Sequence, residues 1–126
     1  MKIQSLSHLL LQVSDLDRAV EFYTRVAGLH VRDRSALADG RRFVAMHEGL
    51  GLTTFPEGAD RHGMTCDHIA FRCDAVEPVI HALDAHGLPH EGPRRTPYGL
   101  SVYFTDPDGN RIECHDTTGA QAGRPD

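Results

Sequence analysis

Residues 7–30, SHLLLQVSDLDRAVEFYTRVAGLH, decide the fold because residues 67–90, DHIAFRCDAVEPVIHALDAHGLPH, repeat their pattern. Each stretch opens with a histidine and an apolar run, passes through acidic residues into a helical pattern, and reaches a Gly-Leu pair. His8 and His68 occupy the same place in the two copies. Internal duplication of this kind predicts two copies of one structural module in a single chain.

Each copy predicts a strand followed by a helix. Along residues 8–13 the side chains of a strand alternate between two faces, and one face is wholly apolar. Ser14 or Asp15 is expected to cap the first helix, because short polar side chains accept hydrogen bonds from the first free amides. Asp74 is expected to cap the second helix, with Glu77 three residues later as a capping-box partner.

Three extended segments follow each predicted helix. In the first copy they cover about 30–34, 41–49 and 50–55, and in the second about 89–95, 100–106 and 110–116. DPDG at 106–109 predicts a tight turn between the last two. The fold class is therefore α+β, with two βαβββ modules, about 3–56 and 65–117. We expect one domain over residues 1–120, with 118–126 as a flexible tail.

Composition excludes several classes of partner. The 126 residues are 40% hydrophobic and 25% charged, with a net charge of -5. An acidic chain is poorly suited to nucleic acid or to an anionic membrane, since both attract a basic surface. No apolar run approaches the roughly 18 residues of a membrane span. Three cysteines without a CxxC spacing indicate reduced thiols, and therefore a cytoplasmic protein.

Alternation leaves potential metal ligands on the strand faces that point away from the core. His68 lies on that face, and so does Glu113 in the last predicted strand. When the copies are aligned, His8 falls on His68 and Thr53 falls on Glu113. Two imidazoles and one carboxylate form a facial ligand set suited to Fe2+, with open positions for a substrate or water. The predicted metal ligands are therefore His8, His68 and Glu113.

Other residues are candidates for contact with a substrate. Tyr103 and Ser101 share one strand face, where each is suited to orient or protonate a bound oxyanion, although a tyrosine that simply fills the sheet interior fits Tyr103 equally well. Arg94 and Tyr98 are placed in the loop before that strand, where they gate the site or hold an anion. Phe55 is predicted to form a wall of the pocket.

The chain resembles the vicinal oxygen chelate superfamily over residues 3–116. The motifs are SHLLLQVSDLDRAVEFYTRVAGL, DHIAF and VYFTDPDGNRIE. The superfamily includes glyoxalase I, extradiol dioxygenases, fosfomycin-resistance enzymes and bleomycin-resistance proteins. The resemblance implies an open half-barrel of mixed sheet with the helices on its outer face, a homodimer, and metal ligands at His8, His68 and Glu113.

The resemblance and the predicted site together imply a metal-dependent enzyme. We expect it to act on a small oxygenated substrate chelated through neighbouring oxygens, in a dioxygenase-like reaction with Tyr103 and Glu113 as catalytic residues. Fe2+ or Mn2+ is the first choice of ion, and Zn2+, Ni2+ and Co2+ also fit. The alternatives are a lyase, isomerase or thiol transferase of the glyoxalase or fosfomycin-resistance type, and a drug-binding protein without turnover.

Overall fold

A computed structural model describes residues 1, 4–59, 66–97 and 99–117. The chain forms two compact units, Met1–Gly63 and Met64–Asp126. Along the chain the elements are β1 (Leu9–Val13), α1 (Leu16–Arg25), β2 (Val31–Ala36), β3 (Arg42–Met46), β4 (Leu50–Thr54), β5 (Ile69–Arg72), α2 (Glu77–Ala85), β6 (Glu91–Thr96), β7 (Gly99–Thr105) and β8 (Arg111–Asp116). The predicted α+β class and the two βαβββ modules are confirmed. The single domain stays a prediction, and the predicted tail lies outside the described residues.

Each module contains one open, four-stranded mixed sheet. The strand orders are β1-β4-β3-β2 and β5-β8-β7-β6. The first strand of each module pairs in parallel with the last, and the remaining pairs are antiparallel. Parallel neighbours need a long crossover, which here includes the helix and two strands of the module. In the described part of the chain neither helix is long and apolar enough to cross a membrane.

Helix α1 follows the sequence pattern closely. Asp15 is the N-cap and accepts a hydrogen bond from the Arg18 amide at 3.1 Å, as predicted. The helix buries its apolar stripe, and Tyr23 is completely inaccessible to solvent. That stripe packs on β4, the central strand that pairs with β1.

Helix α2 begins later than predicted, so the assignment of Asp74 as its cap is wrong. The helix starts at Glu77 after Val76, and no side chain caps its first turn. Pro78 is in the first turn, where the missing amide hydrogen of a proline does no harm. A start at Asp74 would have placed this proline deeper in the helix, where its ring crowds the preceding turn and a backbone hydrogen bond is lost.

The two parallel strand pairs differ in register by two residues. In the first module Gln12 is the partner of Thr53. In the second module Ala70 is the partner of Glu113. If Thr53 is superposed on Glu113, Gln12 therefore falls on Ala70.

This register difference corrects the alignment of the two histidines. With the last strands superposed, Leu10 and not His8 takes the place of His68 in the strand register. The two modules also differ in the connection to the helix, which spans residues 73–76 in the second module but only 14–15 in the first. What the histidines share is that each immediately precedes the first strand of its module.

The DPDG turn fixes the start of β8. The buried Asp106 carboxylate accepts hydrogen bonds from the amides of Asp108 and Asn110 at 2.9 and 2.8 Å, and from the Asn110 side chain at 2.8 Å. Gly109 has a φ of 85°, which favours glycine. The predicted turn is confirmed, and it fixes the positions of Arg111 and Glu113 along β8.

Candidate metal centre

The two faces of β8 have opposite characters. Ile112 and Cys114 are buried in the core, and burial raises the pKa of the Cys114 thiol to about 12. Glu113 and His115 point to the other face, as the alternation predicted. Across the sheet Glu113 is paired with Tyr103, and His115 is paired with Ser101. The polar candidates of the second module therefore meet on one sheet face.

His68 lies between two carboxylates. Its Nδ1 is 2.6 Å from Asp67 Oδ2, and its Nε2 is 3.1 Å from Glu113 Oε1. An ionised carboxylate only accepts hydrogen bonds, so Nδ1 carries the hydrogen that it donates to Asp67. In the neutral imidazole Nε2 then presents a lone pair to Glu113 Oε1. Two lone pairs at this distance repel each other unless a proton or a metal cation lies between them.

Glu113 is held by its second oxygen. The side chain is only 12% exposed. Its Oε2 accepts a hydrogen bond from Ser101 Oγ at 2.8 Å and is 3.5 Å from His115 Nδ1. Ser101 is completely buried. This placement supports a role for Ser101 in orienting Glu113, while its direct contact with a substrate stays a prediction.

The geometry of His68 and Glu113 fits two neighbouring ligands of one divalent ion. Ligand atoms about 2.1 Å from a metal and adjacent in its coordination shell are about 3 Å apart, close to the 3.1 Å between Nε2 and Oε1. A histidine ligand commonly donates its other ring hydrogen to a carboxylate, which is the role Asp67 fills. Within the described ranges, no group of three or more His, Cys, Asp or Glu side chains is arranged to hold an ion. His8 belongs to the first unit, with its Nδ1 3.0 Å from Ser7 Oγ.

Tyr103 lies beside this pair, and two arginines contact its ring. Its ring centroid is 4.7 Å from Arg111 Cζ and 4.9 Å from Arg94 Cζ. The ring also makes an edge-to-face contact with His68 at 6.4 Å between centroids. Guanidinium groups are attracted to the negative face of an aromatic ring, so these contacts hold the ring in place.

Sequence reasoning placed Arg111 on the same outward face as Glu113 but gave it no role in the site. The signal was present, because Arg111 is two residues before Glu113 on the same strand and therefore shares its face. Its guanidinium forms two hydrogen bonds with Glu91, at 3.1 and 3.5 Å. The hydrogen bond with Arg111 is the main reason that the pKa of Glu91 is lowered, and the same bond raises the pKa of Arg111.

The remaining predicted substrate contacts are Arg94, Phe55 and Tyr98. Arg94 was expected in a loop, but it lies on β6 opposite Ser101 because the strand resumes after an irregularity between Glu91 and Arg94. Phe55 follows β4 and is half-buried. Tyr98 falls outside the described residues. The roles of Arg94, Phe55 and Tyr98 in substrate binding stay predictions.

Comparison with known proteins gives the same family as the sequence motifs. Metallothiol transferase FosB of Staphylococcus epidermidis is 32% identical over 94% of this chain and 85% of its own length. Lactoylglutathione lyase of Haemophilus influenzae is 27% identical over 92% of this chain and 95% of its own. The glutathione transferase FosA of Serratia marcescens is 30% identical, with coverages of 90% and 81%.

Solved structures share the fold. The antibiotic binding protein TnmS3 from Streptomyces sp. CB03234 superposes with a TM-score of 0.75, over 92% of this chain and 98% of that one. At 24% sequence identity this likeness shows the fold alone. A family model for the Glyoxalase/Bleomycin resistance protein/Dioxygenase superfamily matches residues 5–114. The chain therefore belongs to the Glyoxalase/Bleomycin resistance protein/Dioxygenase superfamily, which is the vicinal oxygen chelate superfamily.

Proposed function

We propose that this chain is a divalent-metal-dependent enzyme of the lyase or thiol-transferase type that acts on a small oxygenated substrate. The observation that carries the proposal is His68, held by Asp67 at Nδ1 with Nε2 3.1 Å from Glu113. His68 and Glu113 are the proposed ligands within the second module, and His8 stays the predicted third ligand. Fe2+ and Mn2+ are the preferred ions, followed by Zn2+, Ni2+ and Co2+.

The neighbouring side chains have distinct proposed roles. Asp67 fixes the ring tautomer of His68, and Ser101 fixes the orientation of Glu113. Tyr103 presents its hydroxyl to a substrate oxygen, where it stabilises or protonates developing negative charge. When bound, the ion supplies Lewis acidity at that oxygen.

Arg94, Phe55 and Tyr98 are proposed to bind the rest of the substrate. Arg94 is exposed on β6 and 4.9 Å from the Tyr103 ring centroid, which suits a guanidinium that contacts an anionic group. Phe55 and Tyr98 contribute apolar surface, which most small-molecule sites use around a few polar groups.

The reaction type rests on the relatives. FosB, FosA and lactoylglutathione lyase are named as transferases and a lyase, which favours that chemistry over the dioxygenase-like reaction. The dioxygenase-like reaction is the second candidate, because two histidines and one glutamate match the ligand set of non-haem Fe2+ oxygenases. A drug-binding protein without turnover is the third.

We also propose that the chain works as a homodimer in the cytoplasm. The dimer is implied by the family resemblance, and the three free thiols suit a reducing compartment. Light scattering of the purified protein measures the oligomeric state directly, and a mass of one chain at micromolar concentration would exclude the dimer.

Metal titration is the first test. Apoprotein is titrated with Mn2+ and with Zn2+ by calorimetry, for wild type and for His68→Ala, Glu113→Gln and His8→Ala. Each substitution is expected to weaken binding by about 100-fold or more, since loss of a neighbour to a ligand alone costs 10–100-fold. His81→Ala, at an exposed position on α2, is the matched control and should bind normally.

Activity assays then separate the reactions. Metal-loaded protein is given a glutathione thiohemiacetal, glutathione with an epoxide, or catechol with an oxygen electrode. Turnover of either of the first two supports the proposal, and oxygen uptake alone supports the second candidate. Normal metal binding by His68→Ala would overturn the site, and metal binding without any turnover would favour the drug-binding alternative.

A further inference from the structure

Arg111 spans three strands of the second sheet. It starts on β8, where its register partner is Thr105 on β7, and its guanidinium reaches Glu91 on β6. Strands are about 4.8 Å apart, so the contact crosses about 10 Å of sheet. Tyr103 is the β7 residue between the two ends, since it is the register partner of both Glu91 and Glu113. The guanidinium therefore lies over the Tyr103 ring, at 4.7 Å from its centroid.

The two arginines at this ring have different electrostatic surroundings. Glu91 is bound by two nitrogens of Arg111, at 3.1 and 3.5 Å. Arg94 acts on Glu91 only through a weaker Coulombic attraction. The charge of Arg111 is thus offset by a carboxylate, whereas Arg94 is exposed and suited to meet a ligand. Their distances from the ring are similar, so the partners and not the distances distinguish them.

We propose that Glu91 and Arg111 form a clamp that fixes the Tyr103 ring beside His68 and Glu113, and that Arg111 is a positioning residue. The two-pronged ion pair holds the guanidinium over the ring, and the edge contact with His68 restrains another side of the ring. A ring fixed in advance does not need to be ordered when a ligand arrives, so more of the contact energy goes into binding and catalysis. The catalytic consequence rests on the proposed function, but the clamp itself does not.

Fluorine NMR tests the clamp directly. The chain has three tyrosines, so protein labelled with 3-fluorotyrosine gives three resonances, and Tyr103→Phe identifies the one that matters. Arg111→Met keeps an unbranched apolar side chain and removes the guanidinium, and Glu91→Gln is nearly isosteric and removes the charge. Both are expected to move or broaden the Tyr103 signal. The Tyr23 signal, from a completely buried ring in the first module, should stay in place.

The matched control is the ion pair between Arg42 and Asp17. Its two contacts, at 3.1 and 3.4 Å, are similar to those of Arg111 with Glu91, and its side chains are likewise exposed. Arg42→Met should leave the Tyr103 signal unchanged. If Arg111→Met is poorly folded, Glu91→Gln decides the matter, because an exposed, isosteric change should leave the fold intact. A Tyr103 signal that is unchanged in folded Glu91→Gln overturns the clamp.

Kinetics and metal affinity then separate positioning from general stability. With a turned-over substrate, Arg111→Met should lower kcat by about tenfold, as expected for a misplaced catalytic group, and leave the Kd of Mn2+ within about twofold. Arg111→Lys keeps a cation but cannot form the paired hydrogen bonds of a guanidinium, so its kcat should lie between those of Arg111→Met and wild type. If the NMR result holds but wild type turns over nothing, the proposed function fails and the clamp stands. Unchanged kcat together with a shifted resonance would refute the positioning role.

Discussion

The two modules share a fold but differ in what their equivalent sheet faces carry. Phe43 is the partner of Thr53 in the first module, and Tyr103 is the partner of Glu113 in the second. The buried Thr53 hydroxyl donates to the Arg42 carbonyl of its own sheet at 2.7 Å. Its hydrogen-bonding capacity is therefore used inside the module.

Polar groups in the second module instead meet one another. Glu113 contacts His68 and Ser101, and Tyr103 contacts two arginines. Tyr103 stands where the first module has Phe43, and Glu113 stands where it has Thr53. These two changes give the second face a phenol and a carboxylate. The two modules therefore share a scaffold, and a few side chains make the difference between their equivalent faces.

The largest effect is expected at Gly51, where the side chains of Phe43 and Leu10 cover the sheet face of the first module. A Cβ at this position would be 2.7 Å from the Phe43 ring and 3.2 Å from Leu10 Cδ1. Gly51→Ala should therefore force the ring aside and lower the free energy of unfolding by about 1–3 kcal/mol, measured by urea denaturation. Gly51→Ala combined with Phe43→Leu should recover part of the loss. Equal stability of wild type and Gly51→Ala would show that the ring does not close this face.

A smaller effect is expected from the hydroxyl that orients Glu113. Ser101→Ala removes the hydrogen bond to Oε2, so the carboxylate is no longer held for the ion, and Mn2+ affinity should fall by about tenfold. Thr53→Val is the mirror change in the first module. It should cost about 1 kcal/mol of stability through the lost hydrogen bond and leave Mn2+ affinity unchanged. Calorimetry in which both variants bind Mn2+ like wild type would remove the distinction between the modules.

The smallest effect is the response of the clamp to acid. The hydrogen bond with Arg111 holds the pKa of Glu91 below its ordinary value of 4.5. A lowered pKa in the folded state means that the pair is fully formed above pH 4.5 and is lost as the pH falls through the lower folded value. The fluorine resonance of Tyr103 should move with a midpoint below pH 4.5. Glu91→Gln should abolish that component, and a Glu91-dependent midpoint above 4.5 would contradict the assignment.

Local patterns in the sequence predicted the parts of the site that depend on one strand at a time. Alternation predicted that Glu113 lies on the strand face away from the core, and the structure agrees, since the neighbouring Ile112 is buried. The cap at Asp15 and the turn at Asp106 were predicted for the same reason, because each is completed within a few residues of chain. The metal role of His8, His68 and Glu113 stays a prediction that the titrations address.

Pairings between strands were not readable from the sequence. The two-residue difference in register separates His8 from the position equivalent to His68, although the two motifs align from histidine to Gly-Leu pair with a single gap. Equally, no local sequence pattern predicts that Arg111 reaches Glu91 across β7. The placement of His8 and the contact of Arg111 with Glu91 both depend on the register between neighbouring strands, which is set when the apolar side chains are buried.

The sequence by itself determined the duplicated βαβββ plan, the core faces and the superfamily, since these follow from local periodicity and from motifs within single segments. Tertiary structure alone decided that Asp67 and Glu113 flank His68, that Ser101 orients Glu113, and that Arg111 covers Tyr103. The physical reason is that side-chain direction is a property of one strand, whereas the identity of its neighbours is a property of the whole packed sheet.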